Sequence, residues 1–246
     1  MTRQMDVRLA IRLFLLGVLG VLTLVLLPLP NSKALMSLVQ PFLLLIVAIV
    51  LGTLVHRQVG LGAPILSEKF DFEEMKPRLK DVLKFGGMAG AGLGVVLMGI
   101  SLVSEIGMTG RIHHQSPSLD LSFITALLYG GLSEEIMMRF GLMTLIVWLI
   151  FKITKSKADW VFVAAILLSS FLFAAGHLPI AYAHLETVSW GVLAYILIAN
   201  STAGVVYGYL YWKKGLECSM MAHMMTHMMT HISWVSVHFL FHAAWH

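Results

Sequence analysis

Leu132-Ser133-Glu134-Glu135-Ile136-Met137-Met138-Arg139-Phe140-Gly141 places two adjacent carboxylates and an arginine inside a long apolar run. From Leu119 to Phe151 the only charged side chains are Asp120, Glu134, Glu135 and Arg139. An ionisable group near a bilayer centre costs at least ~2.5–3.5 kcal/mol on insertion scales, so three of them within a turn and a half need a reason. On a helix Glu135 and Arg139 are i,i+4 neighbours and can neutralise each other. Glu134 is turned about 100° away and has no partner within the stretch, so it is predicted to find one on another helix. An ion-pair staple accounts for Glu135 and Arg139 but leaves Glu134 over. A carboxylate held out of water, whose proton affinity burial raises, is what a general base looks like.

The rest of the composition agrees with a membrane setting. Of 246 residues, 58% are hydrophobic and 12% charged, and the mean hydropathy is +0.84, too apolar for a soluble domain of this size. The predicted fold is all-α, a polytopic transmembrane helical bundle of about seven to eight spans. Runs long enough to cross ~30 Å of hydrocarbon are Leu13 to Leu29, Ala34 to Val55, Phe85 to Val103, Leu119 to Phe151, Trp160 to His177, Val188 to Trp212 and Leu216 to His242. The basic start (Arg3, Arg8, Arg12) leads into the first run with no small-residue cleavage site, so that run is read as a membrane helix rather than a signal peptide. Residues 1–118 form N-terminal membrane helices around a polar loop at 56–84. Residues 119–242 form the core that carries the chemistry, and the two parts make a single membrane domain.

Fourteen of the 17 Lys and Arg residues fall at the N-terminus, in the 56–84 loop, at Lys152/Lys155/Lys157 and at Lys213/Lys214, against Lys33 and Arg111 on the other side. The positive-inside rule then puts the N-terminus in the cytoplasm and the C-terminus on the opposite side. No nucleic-acid partner is expected. The single cysteine, Cys218, excludes an intramolecular disulfide and a CxxC metal site.

Several features read as packing. Gly86, Gly90 and Gly94 make a small-xxx-small ridge on which another helix can approach closely. The fourth run is 33 residues long, more than one crossing needs, so a break, kink or strong tilt is expected there, with Gly130-Gly131 the natural place and Pro117-Ser118 a start signal. Polar groups in three later runs read as chemistry or as caps. Phe173 and His177 share a helix face, and Pro179 is expected to stop that helix. Asn200, Ser201 and Thr202 can hydrogen-bond across helices. His223, His227 and His231 recur every fourth residue along one slowly rotating face, followed by His238, His242 and His246, which are read as interfacial. Histidines at i and i+4 are also metal-ligand spacing.

Taken in order, Glu134-Glu135-x-x-x-Arg139, Phe173-x-x-x-His177 and His223-x-x-x-His227 resemble the CPBP family of intramembrane proteases, also called the Abi or CAAX-type prenyl endopeptidase family. Lys214-Gly215-Leu216 is similar to that family's lead-in to its last motif. The resemblance spans Leu119 to Ile232. It implies an endopeptidase in which Glu134 activates water, His177 is its partner, Glu135 and Arg139 are a supporting pair, and His223 stabilises the oxyanion. The substrate it implies is a membrane-associated peptide, CAAX-type prenylated or otherwise lipidated, met in the lipid phase. His227 departs from the family, which has Asn or Asp at that position. The extra imidazole also makes Glu134, His177, His223 and His227 a candidate set for a divalent metal such as zinc. Straight α-helices would put Glu134 roughly 27 Å from Lys152 and His223 roughly 14 Å from Lys214, at different depths. Two other readings stand beside the protease: a proton-coupled transporter that uses Glu, Arg and His as a relay, and a non-catalytic membrane protein of the same fold, of the bacteriocin-immunity type.

The departure at position 227 supplies the first test. If His227 only donates a hydrogen bond, His227→Asn keeps or raises peptide turnover and chelators leave the wild type unaffected. Loss of about one equivalent of metal in His227→Asn by elemental analysis, with chelator-sensitive turnover in the wild type, would establish a metal site instead.

Overall fold

The computed structural model describes residues 6–27, 31–68, 71–109, 121–184 and 188–244, and every regular element among them is helical. Helices α1 (Val7–Leu22) and α2 (Asn31–Val59) form an antiparallel pair. The short α3 (Pro64–Ser67) and α4 (Phe72–Asp81) lie within the stretch predicted as a polar loop. A π-helical turn at Val82–Gly86 carries α4 into α5 (Gly87–Thr109). One continuous helix follows: α6 (Leu121–Thr125), π-helical segments at Ala126–Glu134 and Ile136–Met143, and α7 (Thr144–Thr154). Then come α8 (Asp159–Gly176), α9 (Leu178–His184), α10 (Trp190–Lys214) and α11 (Leu216–Ala244).

Six of the described helical segments are long and apolar enough to cross a membrane. They match the first six predicted spans; α11 is the seventh, a helix of 29 residues. The 33-residue fourth span does not break at Gly130-Gly131. It stays helical and widens to π geometry, in which hydrogen bonds run to the fifth residue and more residues fit into the same rise. Pro117 and Ser118 lie outside the described residues.

Close helix contacts form where a side chain is missing. The ridge predicted from Gly86, Gly90 and Gly94 packs against α11: a methyl on Gly86 would lie 2.7 Å from the Cys218 carbonyl oxygen, and one on Gly94 would lie 2.6 Å from Met229 Cβ. Thr226 donates to the Gly90 carbonyl at 3.2 Å across this contact. Gly17 and Gly20 bring α1 onto Leu45 and onto the long helix, where Ser133 donates to the Gly17 carbonyl at 2.8 Å. Gly52 meets Phe140, and Gly141 meets Ala48. The long helix is thus enclosed by α1, α2 and α11, with Ile136, Phe140 and Met143 in the buried core.

The depth of α11 is fixed at its start. Gly215 joins α10 to α11 with φ +96°, a backbone region suited to glycine. Leu216 N–H then donates to the Gly62 carbonyl at 3.0 Å. The Glu217 carboxylate accepts from Ile65 N–H at 2.9 Å and from Leu66 N–H at 2.8 Å, capping α3. This gives a structural reason for the Lys214-Gly215-Leu216 sequence.

The glycine ridge can be tested with a matched pair. A methyl on Gly90 would collide with the Ala222 carbonyl, whereas Gly87 has nothing within 4 Å. Gly90→Ala is expected to cost about 1–3 kcal/mol, and Gly87→Ala to be neutral or stabilising by up to about 1 kcal/mol, both read by thermal unfolding in detergent.

Candidate active site

Glu135 is the point at which the motifs meet. Its side chain and that of Arg139 have no accessible surface, 0% each. Arg139 Nε lies 3.4 Å from Glu135 Oε2, which bears out the pairing expected within the stretch. The other two contacts come from α11: Ser219 Oγ donates to Glu135 Oε2, and His223 Nδ1 lies 2.9 Å from Oε1. Ser219 and His223 are four residues apart and so project from one face of α11 toward the same carboxylate. The bond between Glu135 and His223 brings the depths of the two helices together. The two motifs therefore meet despite the mismatch expected from counting straight α-helices back to Lys152 and Lys214; the π segments take up only a small part of it, ~3 Å at the smaller rise per residue.

Aromatic rings complete the enclosure. The Tyr207 ring stacks on His223 at 4.5 Å between centroids, and the His227 ring also stacks on His223, at 4.9 Å. Phe173 meets both His177 and His223 edge-on, at 4.7 and 6.2 Å. The Arg139 guanidinium carbon sits 5.4 Å from the Phe173 ring, within cation–π range. Phe173 therefore packs against residues of all three motifs.

The hydrogen bonds set which imidazole nitrogen carries a proton. A carbonyl oxygen can only accept, so His177 Nδ1, 2.8 Å from the Phe173 carbonyl, is the protonated nitrogen. The same logic applies to His223 Nδ1 on the Glu135 carboxylate. Neutral His177 and His223 both then present the Nε2 lone pair. A methyl on Gly130 would lie 3.1 Å from His223 Nε2 and 2.9 Å from His227 Nε2, so both nitrogens face one spot, four residues before Glu134. Gly130 leaves that spot open.

Glu134 differs from its neighbour. It is half-buried, and its carboxylate has no hydrogen bond or ion pair among the described residues. The partner expected on another helix is missing because α11 is turned so that Ser219 and His223 reach Glu135 instead. Asn200 is not brought into the cluster: its amide donates to the Ile196 carbonyl of its own helix at 2.9 Å. His231 stacks on Phe123 at 4.4 Å, away from these residues, and the side chains of His238, His242 and His246 lie outside the described residues. Helix α8 ends at Gly176, with His177 at its C-cap, but Pro179 does not end the helical path, since α9 starts at Leu178. No group of three or more His, Cys, Asp or Glu side chains among the described residues is arranged to hold a metal ion. Glu134, His177, His223 and His227 form no such group among the described residues.

Two members of the site were not singled out from the sequence. Tyr207 carried no signal in a run of other tyrosines. Ser219 carried one, four residues before His223, where a polar side chain in an apolar helix shares the histidine's face.

The family model described as "Type II CAAX prenyl endopeptidase Rce1-like" matches residues 117–229. The match bears out the resemblance to the CPBP family, and its interval contains Glu134, Glu135, Arg139, Phe173, His177, His223 and His227. Comparison with curated proteins and with solved structures gives no match.

Removing the guanidinium should cost stability as well as activity. Arg139→Ala leaves Glu135 as a buried charge without a counter-ion, and breaking such a pair costs about 3–5 kcal/mol. Folded yield and thermal midpoint should both fall, with Arg139→Lys recovering only part, because a point charge cannot reproduce the planar fork. A wild-type midpoint for Arg139→Ala would show that Ser219 and His223 alone suffice for Glu135.

Proposed function

We propose that this chain is an intramembrane endopeptidase that hydrolyses a peptide bond of a membrane-associated substrate. Glu134 takes a proton from water, the resulting hydroxide attacks the scissile carbonyl carbon, and Glu134 returns the proton to the leaving amine. The reading rests chiefly on one observation. Of two adjacent intramembrane carboxylates, Glu135 is fully engaged by Arg139, Ser219 and His223, while Glu134 is half-buried and unengaged among the described residues. A base must have its lone pairs free, and only Glu134 does.

The histidines divide the remaining work. His177, with its proton fixed on Nδ1 by the Phe173 carbonyl, offers Nε2 as an acceptor that orients the attacking water. His223 is held on Glu135 through Nδ1, which leaves its Nε2 facing the spot beside Gly130. The His227 imidazole makes no hydrogen bond among the described residues, so Nε2 is free to carry a proton. It then donates to the oxyanion of the tetrahedral intermediate, the task the family gives to an amide at this position. The substrate class named by the matching family is a prenylated CAAX C-terminus, and a lipid-anchored peptide is the natural partner of a site inside a helical bundle.

Purified protein in lipid nanodiscs should cleave a prenylated CAAX peptide, with its unprenylated counterpart as the comparison. Glu134→Gln and His177→Ala should each lower turnover by about 10²–10⁴-fold, the usual contribution of a positioned acid or base, with unchanged thermal midpoints. Near-wild-type cleavage by Glu134→Gln would end the assignment.

A further inference from the structure

Arg139 presents a problem that its ion pair does not solve. The guanidinium is fully buried, yet none of its three nitrogens has a hydrogen-bond partner among the described residues. A guanidinium beside a carboxylate ordinarily closes into a two-pronged pair with short parallel hydrogen bonds. Here the approach stops at 3.4 Å and involves Nε alone. Something holds the Glu135 carboxylate away from the fork that should capture it.

The candidates are the other two donors. His223 holds Oε1 through Nδ1 at 2.9 Å. Ser219 Oγ donates to Oε2, the oxygen nearest Arg139, and shares its one proton with the Tyr207 carbonyl of α10 at 3.0 Å. Ser219 is fully buried, so no water can substitute for it from bulk. Rotation of the carboxylate toward the guanidinium would break the Ser219 bond and then withdraw Oε1 from His223.

We infer that Ser219 is a positioning residue. It holds the Glu135 carboxylate on His223 rather than on Arg139, and thereby fixes the proton of His223 on Nδ1 and the lone pair on Nε2. The consequence for chemistry rests on the protease reading above; the consequence for the His223 tautomer does not. Without the serine, Glu135 turns into the Arg139 fork. The Nδ1 hydrogen bond is lost, and His223 distributes its proton over both nitrogens. Ser219 is fully buried with its hydroxyl on Glu135 and the Tyr207 carbonyl, so its loss is expected to leave substrate binding unchanged.

The test uses the full-length protein in nanodiscs with ¹⁵N-labelled histidine. In the wild type the His223 ring shifts should report a single Nδ1–H form; in Ser219→Ala they should report a mixture. Where the wild type cleaves peptide, Ser219→Ala should lower kcat about 10- to 100-fold, as loss of an outer positioning group does, with KM unchanged. Ser219→Thr, which keeps the hydroxyl, should restore both readouts. If Ser219→Ala does not fold, Ser219→Cys retains the volume with a weaker donor and should show the same two changes. A single Nδ1–H form or wild-type kcat in a folded Ser219→Ala would overturn the inference. A wild type that cleaves nothing would end the protease reading alone, since the tautomer is read without turnover.

Discussion

A fully buried carboxylate must have its charge and its lone pairs met by groups the fold can bring to it. Glu135 is met by a guanidinium four residues on in the same helix and by a hydroxyl and an imidazole from α11. The site depends on this requirement. Glu135 can be satisfied only if α11 lies at one depth and one rotation relative to the long helix, so the cost of a buried charge becomes a positional constraint. The glycine ridge on α5 and the bonds from Gly62, Ile65 and Leu66 to the start of α11 serve that same placement.

Two neighbouring glutamates thereby acquire opposite characters. Glu135 has its lone pairs occupied and acts as a strut. Glu134, one residue on the other side along the same backbone, is left half-buried with no partner among the described residues. The separation arises from rotation about the helix axis, about 100° per residue in an α-helix and less where the turn is widened to π. Adjacent carboxylates of one helix cannot both face the same pair of donors, and the helix that supplies the donors decides which of them is held.

Met and Gly do complementary work around this centre. Gly130 leaves the space that the Nε2 atoms of His223 and His227 face, and Gly131 accepts the Met224 side chain against its bare backbone. In a bilayer, where lipid tails are as apolar as any side chain, close backbone approach and interhelical hydrogen bonds supply much of the association. The Thr226 bond to Gly90 and the Ser133 bond to Gly17 are of that kind.

Much of this was legible in the residues. Hydropathy and length fix the membrane helices, because the thickness of the hydrocarbon imposes a run length that can be counted. The glycine ridge is legible because small residues at every fourth position leave one face bare whatever packs on it. Glu135 and Arg139 could be paired for a similar reason, since their separation is local. The sequence could not decide what belongs to rotation and depth between helices. It does not show that His223 reaches Glu135 and misses Glu134, that Ser219 and Tyr207 join the cluster, or that Asn200 bonds only its own turn. Helical periodicity predicts such facing only while every residue advances by the same angle. The π segments at Ala126–Glu134 and Ile136–Met143 change that angle beside the residues that matter, so which of the two glutamates α11 holds was settled by tertiary packing.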